Sequence, residues 1–152
     1  MPGRIYFAFE SKAWTGGMAL YDPAAMGSVA ARAYLVSVAQ FSDIAAQEMY
    51  REPLEDLDLT EVLSTGRSEL GPGRYETLVY AGRLDSHPVL TFTAPWKFDE
   101  VEWSRPAERY LRHLAAGLAE AHGWSKPEIA AYLADCPGVF AEWSPGQLEP
   151  II

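Results

Sequence analysis

Apolar residues in the first forty positions fall into short runs separated by turn formers. Ile5-Tyr6-Phe7-Ala8-Phe9 reads as a short buried strand. Trp14-Thr15-Gly16-Gly17 follows as a turn, then Met18-Ala19-Leu20-Tyr21 as a second strand stopped by Asp22-Pro23. Over residues 29–38, Ala31, Ala33 and Leu35 alternate with Arg32 and Tyr34, which predicts a third strand. Short connections between such runs favour antiparallel pairing.

The pattern then becomes helical. Residues 44–50 carry helix formers, with Ser42 or Asp43 as the cap. Asp58 is placed to cap a shorter helix over 59–63, ended by Gly66. Gly71-Pro72-Gly73 marks a loop, and 75–80 and 89–93 read as two more strands joined across 82–88. After Pro106, apolar residues recur at Ala107, Tyr110, Leu111, Leu114, Ala115 and Leu118, the spacing of an amphipathic helix ended by Gly123. Ser125 and Glu128 form a capping-box pattern for a second helix that Pro137-Gly138 stops.

Strands first, helices last and a helix between predict an α+β fold: a small, mainly antiparallel curved sheet or barrel flanked by helices. One domain is expected over residues 1–138, with 139–152 as a loosely held tail.

Composition narrows the functional classes. The formal net charge of −9 repels phosphate backbones, so no nucleic acid is expected as a partner. Acids cluster at Glu52, Glu55, Asp56, Asp58 and Glu61, and again at Asp99, Glu100 and Glu102, without the spacing of a calcium loop. Cys136 is the only cysteine, which excludes an intrachain disulfide and suits a reducing cytoplasm. His87, His113 and His122 are scattered and form neither an H-x-x-x-H nor an H-E-x-x-H pair, so no metal site is expected. No apolar run approaches membrane-spanning length, and no membrane association is expected.

Glu48 is the sharpest candidate for chemistry. On a helix it shares one face with Phe41, Ile44 and Ala45, an otherwise apolar face. A carboxylate packed inward there is desolvated and its pKa rises toward the range useful for proton transfer. The competing reading is a frayed helix end at which Glu48 reaches water or pairs with Arg51. The Gly16-Gly17 pair permits either close backbone approach to a ligand or a tight hairpin turn. Trp14, Tyr34, Tyr75, Tyr80, Trp96, Trp103 and Tyr110 offer pocket walls or core packing; Tyr110 sits on the apolar stripe of a long helix and needs a partner for its hydroxyl. Cys136 reads as a small core residue.

These pieces occur in an order that resembles the γ-glutamylcyclotransferase-like family. Its members share a strand ending near a Ser, then a W-x-G-G-x-A turn and strand, here Phe9-Glu10-Ser11 and Trp14-Thr15-Gly16-Gly17-Met18-Ala19. A helix with an L-D-x-x-E-G motif follows, matched here by Ile44-Ala45-Ala46-Gln47-Glu48-Met49, with Ala45 in place of the Asp and Met49 in place of the Gly. The P-x-x-x-Y helix start matches Pro106 and Tyr110. Family members also carry a Y-G-S-N loop that holds the γ-glutamyl end of the substrate; this chain contains no Asn and no counterpart of that N-terminal segment.

The resemblance implies an enzyme that releases an amine and 5-oxoproline from a γ-glutamyl amide, with Glu48 as acid/base, Trp14, Gly16, Gly17 and Tyr110 at the substrate, and no cofactor. Two other readings stand beside it: a non-catalytic binding or partner module that lacks the substrate cradle, and an amide hydrolase or tailoring enzyme using the same Glu. An absent first strand also implies an open sheet edge, filled by a homodimer or a partner chain.

Overall fold

A computed structural model describes residues 1–52, 55–139 and 143–152 of the chain. The described elements are two small antiparallel sheets and five helices, an α+β arrangement. The first sheet is the hairpin of β1 (Arg4–Ser11) and β2 (Gly16–Asp22), in a register that pairs Tyr6 with Leu20 and Phe7 with Ala19. A bulge at Phe9, whose φ is 57°, shifts the register before the turn.

The second sheet follows two helices, α1 (Val38–Glu48) and α2 (Thr60–Thr65). It orders β3 (Arg67–Glu69), β4 (Thr77–Leu84) and β5 (His87–Thr93) side by side. Asp85 and Ser86 join β4 to β5 with φ of 48° and 69°, the left-handed pair that a two-residue hairpin turn requires. The strands therefore form two sheets rather than the single curved sheet expected, and no closed barrel is found among the described residues.

Residues 29–38 depart most from expectation. No strand forms there; residues 29–37 are irregular, and every residue from Ala31 to Gln40 is exposed. Alternation alone does not make a strand when no neighbouring edge pairs with it. Helix α1 begins at Val38 instead, because Ser37 and Gln40 form a capping box: Gln40 N–H donates to Ser37 Oγ at 3.2 Å, and Ser37 N–H to Gln40 Oε1 at 2.9 Å. Ser42, expected as a cap, lies inside the helix, where its hydroxyl donates to Val38 O and accepts from Leu57 N–H.

Helix α3 (Glu108–His122) ends at Gly123 in the left-handed conformation, and α4 (Lys126–Ala134) starts from the Ser125–Glu128 capping box, both where the sequence predicts them. Leu111 is fully buried; Leu114 and Leu118 are half-buried against the same core. Side chains alternate along β1, so Phe7 enters this helical core while Tyr6 and Ala8 face a second cluster with Leu20 and Ala94.

The C-terminal segment, read as a loosely held tail, carries α5 (Pro145–Leu148) and sends Leu148 and Trp143 into the core beside Ile129 and Leu133. Phe140, Ala141 and Glu142 of that segment lie outside the described residues. Among the described residues no helix is long and apolar enough to cross a membrane.

Candidate active site

Helix α1 ends in a Schellman turn. Met49 caps it, Tyr50 takes φ of 55°, and Arg51 N–H donates to Ala46 O at 2.8 Å. Met49, in the position of the family motif's glycine, keeps an ordinary right-handed conformation. The turn brings Arg51 to the loop before β4, where its guanidinium pairs with the Glu76 carboxylate. The same carboxylate accepts Gly73 N–H at 2.7 Å. Side chains on Gly71 or Gly73 would collide with it, at 2.4 and 2.6 Å respectively. The end of α1 and the 70–76 loop are thus fastened together, and the sequence reading that paired Arg51 with Glu48 is replaced by Arg51–Glu76.

Glu48 is exposed rather than packed inward. Only part of its helix face is covered: Ala45 is buried, Phe41 is half-buried, and Ile44 is exposed. Phe41 meets Phe92 at 6.2 Å between ring centroids, and Phe92 meets Tyr75 edge-on at 6.3 Å. That chain of rings links Tyr75 through Phe92 to Phe41 on α1, the helix that also carries Glu48. The Tyr75 phenol is pushed up to about 12, by burial first and then by the neighbouring Tyr110 and the Glu48 carboxylate, with Arg74 opposing. Tyr110 is raised as well, chiefly by burial and also by Glu48, against the hydrogen bond from Ala19 N–H.

Both phenols reach the outer edge of β2. Tyr110 accepts from Ala19 N–H at 3.4 Å, and Tyr75 donates to Ala19 O at 3.4 Å. Trp14 stacks on Tyr110 at 5.1 Å and 24°, and on His113 at 5.6 Å. Arg109 donates to the carbonyls of Trp14 and Ala13, which fixes the indole over α3. Of the residues predicted for the site, Trp14 and Tyr110 are in contact, and the Glu48 carboxylate acts on Tyr110 electrostatically.

Gly16 and Gly17 do not line it. Neither has positive φ, and both serve close packing against the chain's own backbone. A β-carbon on Gly16 would lie 2.8 Å from Arg105 O and from Ala107 N. Gly17 N–H already donates to Arg105 O at 2.8 Å, so it is not a free oxyanion donor. On the other side of the hairpin, Phe7 bonds to Ser104 and Pro137. The edges of this sheet are thus partly occupied by residues 104–105 and 137.

Arg74 is a neighbour that the sequence does not point to, and Tyr75 stands only among the aromatics offered as pocket walls or core packing. The signal was the Gly71-Pro72-Gly73 loop just before them, whose glycines make room for Glu76.

Comparison with known families, characterised proteins and solved structures gives no match.

Two surface hollows, of about 460 Å³ around Met1, Val29, Trp124 and Tyr132 and about 140 Å³ around Arg4, Met26 and Asp135, include neither Glu48 nor its aromatic neighbours. No group of three or more His, Cys, Asp or Glu among the described residues is placed to hold a metal ion.

Proposed function

We propose that this chain releases an amine and 5-oxoproline from a γ-glutamyl amide, with Glu48 as the acid/base. The observation that carries the reading is the grouping of an exposed carboxylate with two raised phenols that both contact the Ala19 peptide on the edge of β2.

In this reaction the substrate's α-amine nitrogen attacks its own γ-carbonyl carbon. A carbon–nitrogen bond forms to close the lactam ring, and the bond to the leaving nitrogen breaks. Glu48 takes the proton released by the attacking amine and delivers it to the departing one. Ring closure is intramolecular, so the protein's task is to orient the substrate and move a proton. With Gly17 N–H engaged, the Ala19 N–H, held only by a 3.4 Å contact, is the donor available to a developing oxyanion. Exposure of Glu48 means that the bound substrate itself must exclude water from the carboxylate.

That exposure also supports a second reading, a module that binds the γ-glutamyl group without turning it over. Mass-spectrometric detection of 5-oxoproline from a panel of γ-glutamyl amides decides between them. Turnover that Glu48→Gln abolishes supports the enzyme; binding without product supports the module; turnover untouched by Glu48→Gln refutes the assigned role.

A further inference from the structure

Arg74 is an arginine without a carboxylate. Among the described residues, Arg4, Arg32, Arg51, Arg67 and Arg112 each form an ion pair. Of the arginines that form none, Arg83 and Arg109 donate to backbone carbonyls and Arg105 lies over the Trp143 ring, whereas Arg74 reaches only a thioether and a phenyl ring. Its guanidinium is exposed, lies 5.1 Å from the Phe9 ring centroid, and points Nη1 at Met18 Sδ at 3.5 Å. A thioether is a weak acceptor, so most of the fork of five N–H donors stays available. In a chain of net charge −9 such a cation is a conspicuous local feature.

Its position links it to the site. The Tyr75 hydroxyl lies 3.7 Å from the same Met18 sulfur and 3.4 Å from Ala19 O. The loop that bears Arg74 is pinned by Glu76 to Gly73 N–H and to Arg51, just past the end of α1. The Arg74 guanidinium and the Tyr75 hydroxyl thus meet at the Met18 sulfur, both from a loop tied to Arg51, three residues beyond Glu48. The Tyr75 phenol registers both, raised by Glu48 and lowered by Arg74.

We propose that Arg74 is the specificity-determining residue of this site, binding the α-carboxylate of a substrate whose α-amine faces Glu48. The site would then select a free amino-acid end, a zwitterion, over the same amide with its α-carboxyl group blocked. A planar fork suits a carboxylate bidentately, which a lysine reproduces only as a point charge. The proposal rests on the functional reading above for the reaction, but not for the binding.

The test compares a γ-glutamyl amide bearing a free α-carboxylate with its α-carboxamide counterpart, on the wild type, Arg74→Met and Arg74→Lys. Arg74→Met is expected to raise KM for the carboxylate substrate about 10- to 100-fold, with kcat within about twofold. KM for the carboxamide stays unchanged, and Arg74→Lys recovers part of the loss. Equal effects on both substrates, or no effect, overturn the proposal. Calorimetric binding of the two compounds to Glu48→Gln is measured in parallel, so turnover is not required. Absence of product with carboxylate-selective binding that Arg74→Met removes defeats the acid/base reading and upholds Arg74. Equal binding of the two compounds, or binding of neither, overturns Arg74.

Discussion

Gly17 and Ser104 are in backbone contact: a β-carbon on Gly17 would sit 2.0 Å from the Ser104 carbonyl oxygen. Neither partner can yield cheaply. Gly17 is held in β2 and donates to Arg105 O, and Ser104 N–H is bound to Phe7 O. Gly17→Ala is therefore expected to destabilise the fold by about 1–3 kcal/mol, the range for overpacking a closed contact. Gly117 in α3 is the control, because nothing lies within 4 Å of its added β-carbon. Gly117→Ala should stabilise by about 0.5–1 kcal/mol through helix propensity. Urea denaturation measures both, and equal midpoints for the two variants would remove this packing role for the W-x-G-G glycine.

Glu48→Gln should leave the folded state untouched. The side chain is exposed and forms no ion pair among the described residues, so its stability change is expected within about 0.5 kcal/mol. The rate of 5-oxoproline release should fall by about 100-fold or more, the range for loss of a general acid/base. A loss of rate accompanied by a lowered melting temperature would mean that the carboxylate serves the fold.

Local signals were the legible ones. The Gly123 stop and the Ser125–Glu128 box each involve residues within one helical turn, and the end of α3 and the start of α4 follow from them. Trp14 and Tyr110 were legible as site candidates because one sits at a marked turn and the other on an apolar stripe with a hydroxyl to satisfy. What escaped is long-range. The glycine pair's true neighbours lie at residues 104–107, and the 70–76 loop is tied to the end of α1 by Arg51 and Glu76, 25 positions apart. The start of α1 escaped for a different reason. Ser37 and Gln40 carry the capping box, yet Ser37 sits inside the alternating run, between Val36 and Val38, which favour strands.

Residues 31–37 provide a direct check on that run. Tyr34 and Leu35 are 68% and 80% exposed, and their backbone joins no ladder. Their amides should exchange with deuterium orders of magnitude faster than those of β1. Leu35→Asp should leave stability within about 0.5 kcal/mol. Protected amides together with a doubled mass by light scattering would instead mean that this segment pairs as a strand with a second copy.

Leu148 tests the C-terminal segment. Its side chain is fully buried, although α5 spans only Pro145–Leu148. Leu148→Ala should cost about 2–5 kcal/mol, the range for deleting a buried leucine. A loss under about 0.5 kcal/mol would return the segment to the status of a loose tail. The neighbouring Glu149→Ala, on an exposed residue, is the control.

Alkaline pH should weaken the fold in two stages. Burial pushes the Cys136 thiol from its ordinary 9.0 to about 12, aided by Asp135 and opposed by Arg4. Burial likewise pushes the Tyr6 and Tyr75 phenols from 10.0 to about 12. Each is an acid that the folded state keeps protonated beyond the pH at which the unfolded chain releases its proton. The unfolded state then binds fewer protons, so stability falls as pH rises. These contributions are complete below pH 9, decline first through Cys136, and decline more steeply above pH 10 as the tyrosines join. Urea midpoints measured from pH 7 to 11 read the slope, and absorbance near 295 nm reads phenolate formation. Cys136→Ala should remove the portion of the slope that begins near pH 9 while leaving the later portion, whatever it does to the midpoint at pH 7. A slope identical in Cys136→Ala and wild type between pH 9 and 10 would show that the thiol titrates in the folded protein as it does in the unfolded one.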